Sequence, residues 1–190
     1  MAVFPRYISG IHSLCPDLKM RQILLGNLIE EEQGEENHPE LWLRFAEGLG
    51  VSRDMAHAPA CLKETHDLVD GYFELVQSDY ATGLGALYAY ERQTPDVAKS
   101  KIDGLKKHYG IHDERSLKFF EVHIHADIWH TEEVASLLSC LNPEEQQKAM
   151  KGAEAGARFL WGCVSSDRSE TIKGDGGDYL NSSLMPSCKQ

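Results

Sequence analysis

The sequence predicts an all-α fold, one helical bundle with short connections. Three observations carry this. Nearly every segment repeats its apolar residues with a period near 3.6, and almost none alternates as a strand would. Capping and stop residues bracket those segments at helix-length intervals. At 190 residues with 42% hydrophobic content, the chain suits one domain with a substantial core.

In order, residues 4–15 read as the end of a helix, abrupt for a chain start. Pro16-Asp17 opens a helix with apolar positions at Leu18, Leu24, Leu25, Leu28 and Ile29. The next spans His38 to Leu49, with Pro39 in its first turn and glycines at its end. Residues 51–58 read as a loop. A helix through Leu62, Val69, Phe73 and Val76 follows, and Ser78-Asp79 caps another over 80–93. Pro95 is expected to break it, having no N–H to donate and restricting the residue before it. Residues 96–108 resume as a helix that stops at Gly110. Asp113 caps a long helix, and Asn142-Pro143-Glu144-Glu145 is a cap, a first-turn proline and two first-turn acids. That last helix is expected to run to about Val164. The domain is thus expected over residues 1–165. From 166 to 190 the composition turns to Ser, Asp, Gly and Lys, the pattern of a flexible, disordered tail.

With 30 acidic against 19 basic residues the formal charge is −11, which argues against a nucleic-acid surface. No run of about 18 apolar residues suggests a membrane span, and no signal peptide is visible. Five cysteines without a CxxC pair fit free thiols in a reduced cytoplasm.

The chemistry concentrates in Phe119 to His130, FFEVHIHADIWH. His123, Asp127 and His130 fall at i, i+4 and i+7, on one helical face. That face also carries Phe120, Val134, Leu137 and Leu138, so it points into the core. A carboxylate there needs a cation or a dense hydrogen-bond network. Two other helices repeat the anomaly. Leu24, Leu28 and Glu31 form one stripe, with His38 seven residues on. Leu84, Leu87, Tyr88 and Glu91 form another. Glu30 and Glu32 flank Glu31 and read as solvent-facing. Three carboxylates and three imidazoles suit Fe, Mn or Zn. Against two divalent ions, the three carboxylates leave about +1, which a bridging hydroxide can cancel. Each element has a simpler reading: a buried His–Asp pair, a solvated acidic run, an ion pair of Glu91. Their conjunction on three faces favours metal. His125 lies off the His123 face, and His12, His57, His66, His108 and His112 show no telling spacing.

The runs LLGNLIEEEQGEENHPELW, YAYERQTP and HIHADIWH resemble the haem-oxygenase-like di-metal oxidases of the TenA/PqqC superfamily, in particular their CADD-like para-aminobenzoate synthase branch. The resemblance covers about residues 4–165. It implies a seven-helix bundle, two divalent ions (Fe, or Fe with Mn), O2 as co-substrate and an external reductant. It also implies that Glu31, His38, Glu91, His123, Asp127 and His130 are the six ligands, with Glu91 the candidate bridging carboxylate. In that branch the product's ring comes from a tyrosine of the protein itself and a lysine is the implicated amine donor. The matching lysine is Lys101, and Val97, Lys101, Leu105 and His108 form an expected inward stripe. Tyr90 matches a tyrosine near the metals.

Members of that branch have a first helix and part of a second before the segment matching Phe4-Pro5-Arg6-Tyr7, and the first carries the consumed tyrosine. Its absence implies an internal start or a true truncation, and the latter would expose an apolar groove or a homodimer interface. The leading expectation is therefore an O2-dependent di-metal oxidase or oxygenase feeding para-aminobenzoate and folate synthesis. Oxidation of an external small molecule, PqqC-like oxidation and a non-enzymatic partner-binding protein are the alternatives.

Overall fold

A computed structural model describes residues 3–57 and 61–171, with the side chains from 166 onward left undescribed. Among the described residues the chain is helical throughout, in the order α1 (Phe4–Leu14), α2 (Leu18–Glu32), α3 (His38–Gly48), α4 (Arg53–Ala56), α5 (Lys63–Ser78), α6 (Tyr80–Gly104), α7 (Glu114–Ser139) and α8 (Pro143–Thr171).

Short polar side chains start these helices, each satisfying an amide that the first turn leaves free. Asp17 accepts from the amide of Met20, Asn37 from Glu40, Asp79 from Thr82 and Asp113 from Ser116. At α8 the cap is reciprocal. Asn142 accepts from the Glu144 and Glu145 amides, while the Glu145 carboxylate takes the Asn142 amide at 2.9 Å.

Helix α6 is the central element, packed most extensively against α8 and α7, with α1 and α5 also against it and α3 lying on α7. The α6–α8 approach is close enough to require glycine. A Cβ on Gly85 would run into the Ala149 carbonyl oxygen, and one on Gly152 would run into that of Thr82.

The apolar core is in two clusters. One joins α1, α2, α5, the first half of α6, the end of α7 and α8, around Ile8, Ile11, Leu84, Leu87 and Leu137. The other joins α3, the second half of α6 and the start of α7, around Leu41, Phe45, Ala98, Leu117 and Phe120. Along α6 the clusters are separated at Glu91, and along α7 at residues 123–130. The polar residues of interest occupy that gap.

The helices and their caps agree with the sequence reading, with four differences. Pro95 does not break its helix, which continues to Gly104. A proline at this point leaves the Glu91 carbonyl without its helical donor. Just before it, the Gln93 amide and the Thr94 hydroxyl donate back to the carbonyls of Ala89 and Tyr90, at 3.2 and 3.0 Å, a local competition typical of short polar side chains. The stretch expected as helix to residue 108 ends in one π-helical turn, Leu105–Tyr109, closed by Gly110 at φ 68°. The expected loop 51–58 holds the short helix α4, capped by Ser52. Helix α8 extends to Thr171, and the rest of the expected tail, 172–190, lies outside the described residues.

Candidate metal centre

All six residues chosen from the apolar stripes are buried: Glu31, His38, Glu91, His123, Asp127 and His130 are each at most 4% exposed. Four helices deliver them. Glu31 stands at the end of α2, His38 is the first residue of α3, Glu91 is mid-α6, and the other three lie on one face of α7.

Glu31, His38 and His123 each bring one donor atom within 4.8 Å of the others'. His38 Nδ1 lies 2.8 Å from Glu31 Oε1, yet the two form no hydrogen bond, and both Glu31 oxygens and His38 Nδ1 are buried without a partner. Buried polar atoms left unpaired are costly. Here they converge, as lone pairs do around a shared cation. The His123 ring lies 4.3 Å from that of His38, and its Nδ1–H donates to the Phe119 carbonyl at 2.6 Å. That bond fixes the tautomer and leaves Nε2 as the free lone pair. Burial, with His38 nearby, lowers the His123 pKa against the pull of Asp127, so the ring is held neutral and ready to ligate.

Among the described residues only that triad brings its donor atoms so close together; Glu91, Asp127 and His130 are the other three buried polar side chains. His130 Nδ1 lies 3.6 Å from Asp127 Oδ1 and has no hydrogen bond. Its other nitrogen donates to the Glu30 carboxylate at 2.9 Å. Burial opposes its charge, but Asp127, Glu91 and Glu30 outweigh burial and lift the pKa to about 9. Glu91 Oε1 accepts from the Asn27 amide at 2.7 Å, while Oε2 is buried without a partner. Burial pushes its pKa up to about 8, with Asp127 and Glu31 adding, against the Asn27 bond and His130. Without a cation this group binds protons in its place. Both groups thus present unpaired buried donors of nitrogen and carboxylate type, a set that fits iron.

Two supporting residues were missed by sequence reasoning. Glu30 is exposed, as read, yet it also accepts from His130. Asn27 is buried four residues before Glu31. That same-face spacing was a usable signal, passed over because Leu28 completes the apolar stripe.

Lys101 is not where the expected stripe puts it. Because α6 continues through Pro95, the phase set by Glu91 persists, and the residues facing in are Pro95, Ala98 and Ile102. Val97, Lys101 and His108 are exposed, and only Leu105 of that stripe is buried. Tyr90 packs its ring 4.6 Å from Phe4 and 5.7 Å from Tyr72. Burial and then the Glu31 and Asp127 carboxylates raise its pKa. His125 is exposed, as expected.

A family model of iron-containing redox enzymes matches residues 1–161. The chain belongs to that family, an oxidoreductase on a haem-oxygenase-like helical fold. It is 37% identical over 188 residues to the 4-aminobenzoate synthase of Chlamydia pneumoniae, covering 98% of this chain and 78% of that one. To the 4-aminobenzoate synthase of Nitrosomonas europaea it is 37% identical over 169 residues, 83% of this chain and 69% of that one. The pyrroloquinoline-quinone synthase of Ruegeria pomeroyi is more distant, 28% identical over 122 residues, 63% of this chain and 51% of that one. A CADD-like protein of unknown function from Nostoc punctiforme shares the fold at TM-score 0.78 and 20% identity, over 90% of this chain and 77% of that one. No helix among the described residues is long and apolar enough to cross a membrane.

Proposed function

We propose that the chain binds two divalent ions, iron or iron with manganese, and uses them in an O2-dependent oxidation yielding 4-aminobenzoate, the product named for its relatives of 34–37% identity. The observation that supports this best is the set of six buried donor residues, in which both Glu31 oxygens, Glu91 Oε2, His38 Nδ1 and His130 Nδ1 lack a hydrogen-bond partner.

Glu31, His38 and His123 would hold one ion, and Glu91, Asp127 and His130 the other. When bound, such a pair supplies the electrons that activate O2, with an external reductant restoring them. The chain's own residues do the rest. The Phe119 carbonyl and the Glu30 carboxylate fix which nitrogen of His123 and His130 faces the centre. Asn27 steadies one oxygen of Glu91 and leaves the other free. The Phe119 ring packs 4.3 Å from that of His123, with Trp42 against Phe119 and Phe45 against Trp42. Tyr90, whose phenol feels the Glu31 and Asp127 carboxylates, would be a ring available to an oxidant formed there.

A second reading keeps the centre and directs it at an external small molecule. The exposed position of Lys101 favours it, since a lysine out in water is not enclosed with the oxidant as an internal amine donor would be.

The test is metal content after anaerobic loading with Fe(II) and Mn(II), followed by exposure to O2. The expectation is about two ions per chain, falling by about half or more in His123→Ala. Fewer than about one ion in the unaltered protein would rule the centre out. With loading established, 4-aminobenzoate formed at no more than one per chain without added substrate supports an internal ring. Multiple turnovers on an added compound support the second reading.

A further inference from the structure

The ligands Glu31 and His38 belong to different helices, and only residues 33–37 join them. This linker turns at Gly34, which has φ 89°, and carries two further acids, Glu35 and Glu36. Glu30, Glu32 and Glu40 lie close by in sequence, so the segment is dense in like charge and tends to spread. Two side chains close it. Asn37 Nδ2 donates to the Gly34 carbonyl at 2.8 Å. Arg44, nearly two turns along α3 from His38, donates Nη1 to Glu36 Oε1 at 2.6 Å, Nη2 to the Glu35 carbonyl at 3.3 Å and Nε to Glu40 Oε1 at 3.0 Å. One guanidinium thus ties both acids of the linker to the body of the helix that begins with His38. Lysine, with a single ammonium, cannot reproduce that fork.

We infer that Arg44 is a positioning residue for the metal held by Glu31, His38 and His123, fixing the separation of the first two by clamping the linker between them. This rests on the reading of those three residues as ligands of one ion. The Arg44 side chain is 21% exposed and that of Glu36 61%, so these ion pairs contribute little to global stability. Their effect falls on the geometry of two donors whose lone pairs must meet at one point. Losing residues that orient ligands typically weakens metal binding by about 10–100-fold.

Arg53 provides the control. It donates to both oxygens of Glu40 and to Glu47, at 2.7–2.9 Å, and reaches no atom of the linker. The full chain, stripped of metal, is titrated anaerobically with Co2+ and followed by visible absorption. Two binding events are expected, and the event abolished by His123→Ala identifies the ion in question. Arg44→Met should weaken that event by at least about tenfold and the other by less than about twofold. Arg53→Met should leave both within about twofold. Glu36→Gln, at an exposed position, should weaken the same event by about threefold or more, and it decides the matter if Arg44→Met does not fold. Equal binding in Arg44→Met and the unaltered protein overturns the inference, as does an Arg53→Met loss as large as that of Arg44→Met. An unaltered protein that takes up no Co2+ overturns instead the metal reading on which the inference stands.

Discussion

At the level of single residues, the centre is defined by what its side chains lack. Six polar residues in a core would each need a partner, and the orphaned atoms of Glu31, His38, Glu91 and His130 all belong to this one set. Stripped of metal, the set must be held by protons, which makes a pH dependence calculable in sign. Glu91 is raised from 4.5 to about 8 and His130 from 6.5 to about 9, so the folded chain binds more protons than the unfolded one between these limits. Stabilisation from the two, which titrate as a coupled pair, is complete below the unfolded values and lost as pH rises through the folded ones. The melting temperature of chelated protein should therefore fall from about pH 6 to about pH 9, with a shallower slope in Glu91→Gln. A flat or rising profile would contradict the assignment. Glu30 offers a second measurement. Its side chain is 57% exposed, so Glu30→Ala leaves the fold nearly unchanged. The same substitution should weaken Co2+ binding at the His130 ion by about 10–100-fold.

At the level of elements, the six buried polar positions were legible because helical period converts sequence spacing into direction, and a carboxylate on an apolar stripe stands out. The same arithmetic misplaced Lys101. Pro95 was expected to reset the phase of its helix, and the helix instead runs on through it to Gly104. Asn27 and Glu30 escaped because they support ligands from positions that read as ordinary polar surface or stripe edge. A partner one hundred residues away, as His130 is from Glu30, leaves no local trace. The α6–α8 contact was likewise hidden, since nothing local says which glycine meets a neighbour's backbone. The Ala149 carbonyl that obstructs a side chain at Gly85 is main chain and cannot rotate aside. Gly85→Ala should therefore cost about 2–3 kcal/mol or more. Urea unfolding measures it, and a change under about 0.5 kcal/mol would show that the helices part without loss.

At the level of the whole molecule, the bundle is two apolar clusters with a polar gap between them, bridged by α6 and α7. The gap contains the six buried donor residues, and the two proposed halves of the centre are built from different kinds of position. Glu91, Asp127 and His130 all sit in helix interiors, whereas Glu31 and His38 sit at helix ends beside a linker. Helix ends open far more often than middles. The two ions should then leave on different clocks. A chelator should strip the loaded protein in two phases, with the faster belonging to the Glu31 and His38 side and slowed when the linker is shortened or cross-linked. On the two-ion reading, the half that opens would sample whatever metal the surroundings offer while the closed half would keep what it first received, so the order of delivery would be written into the metal pair.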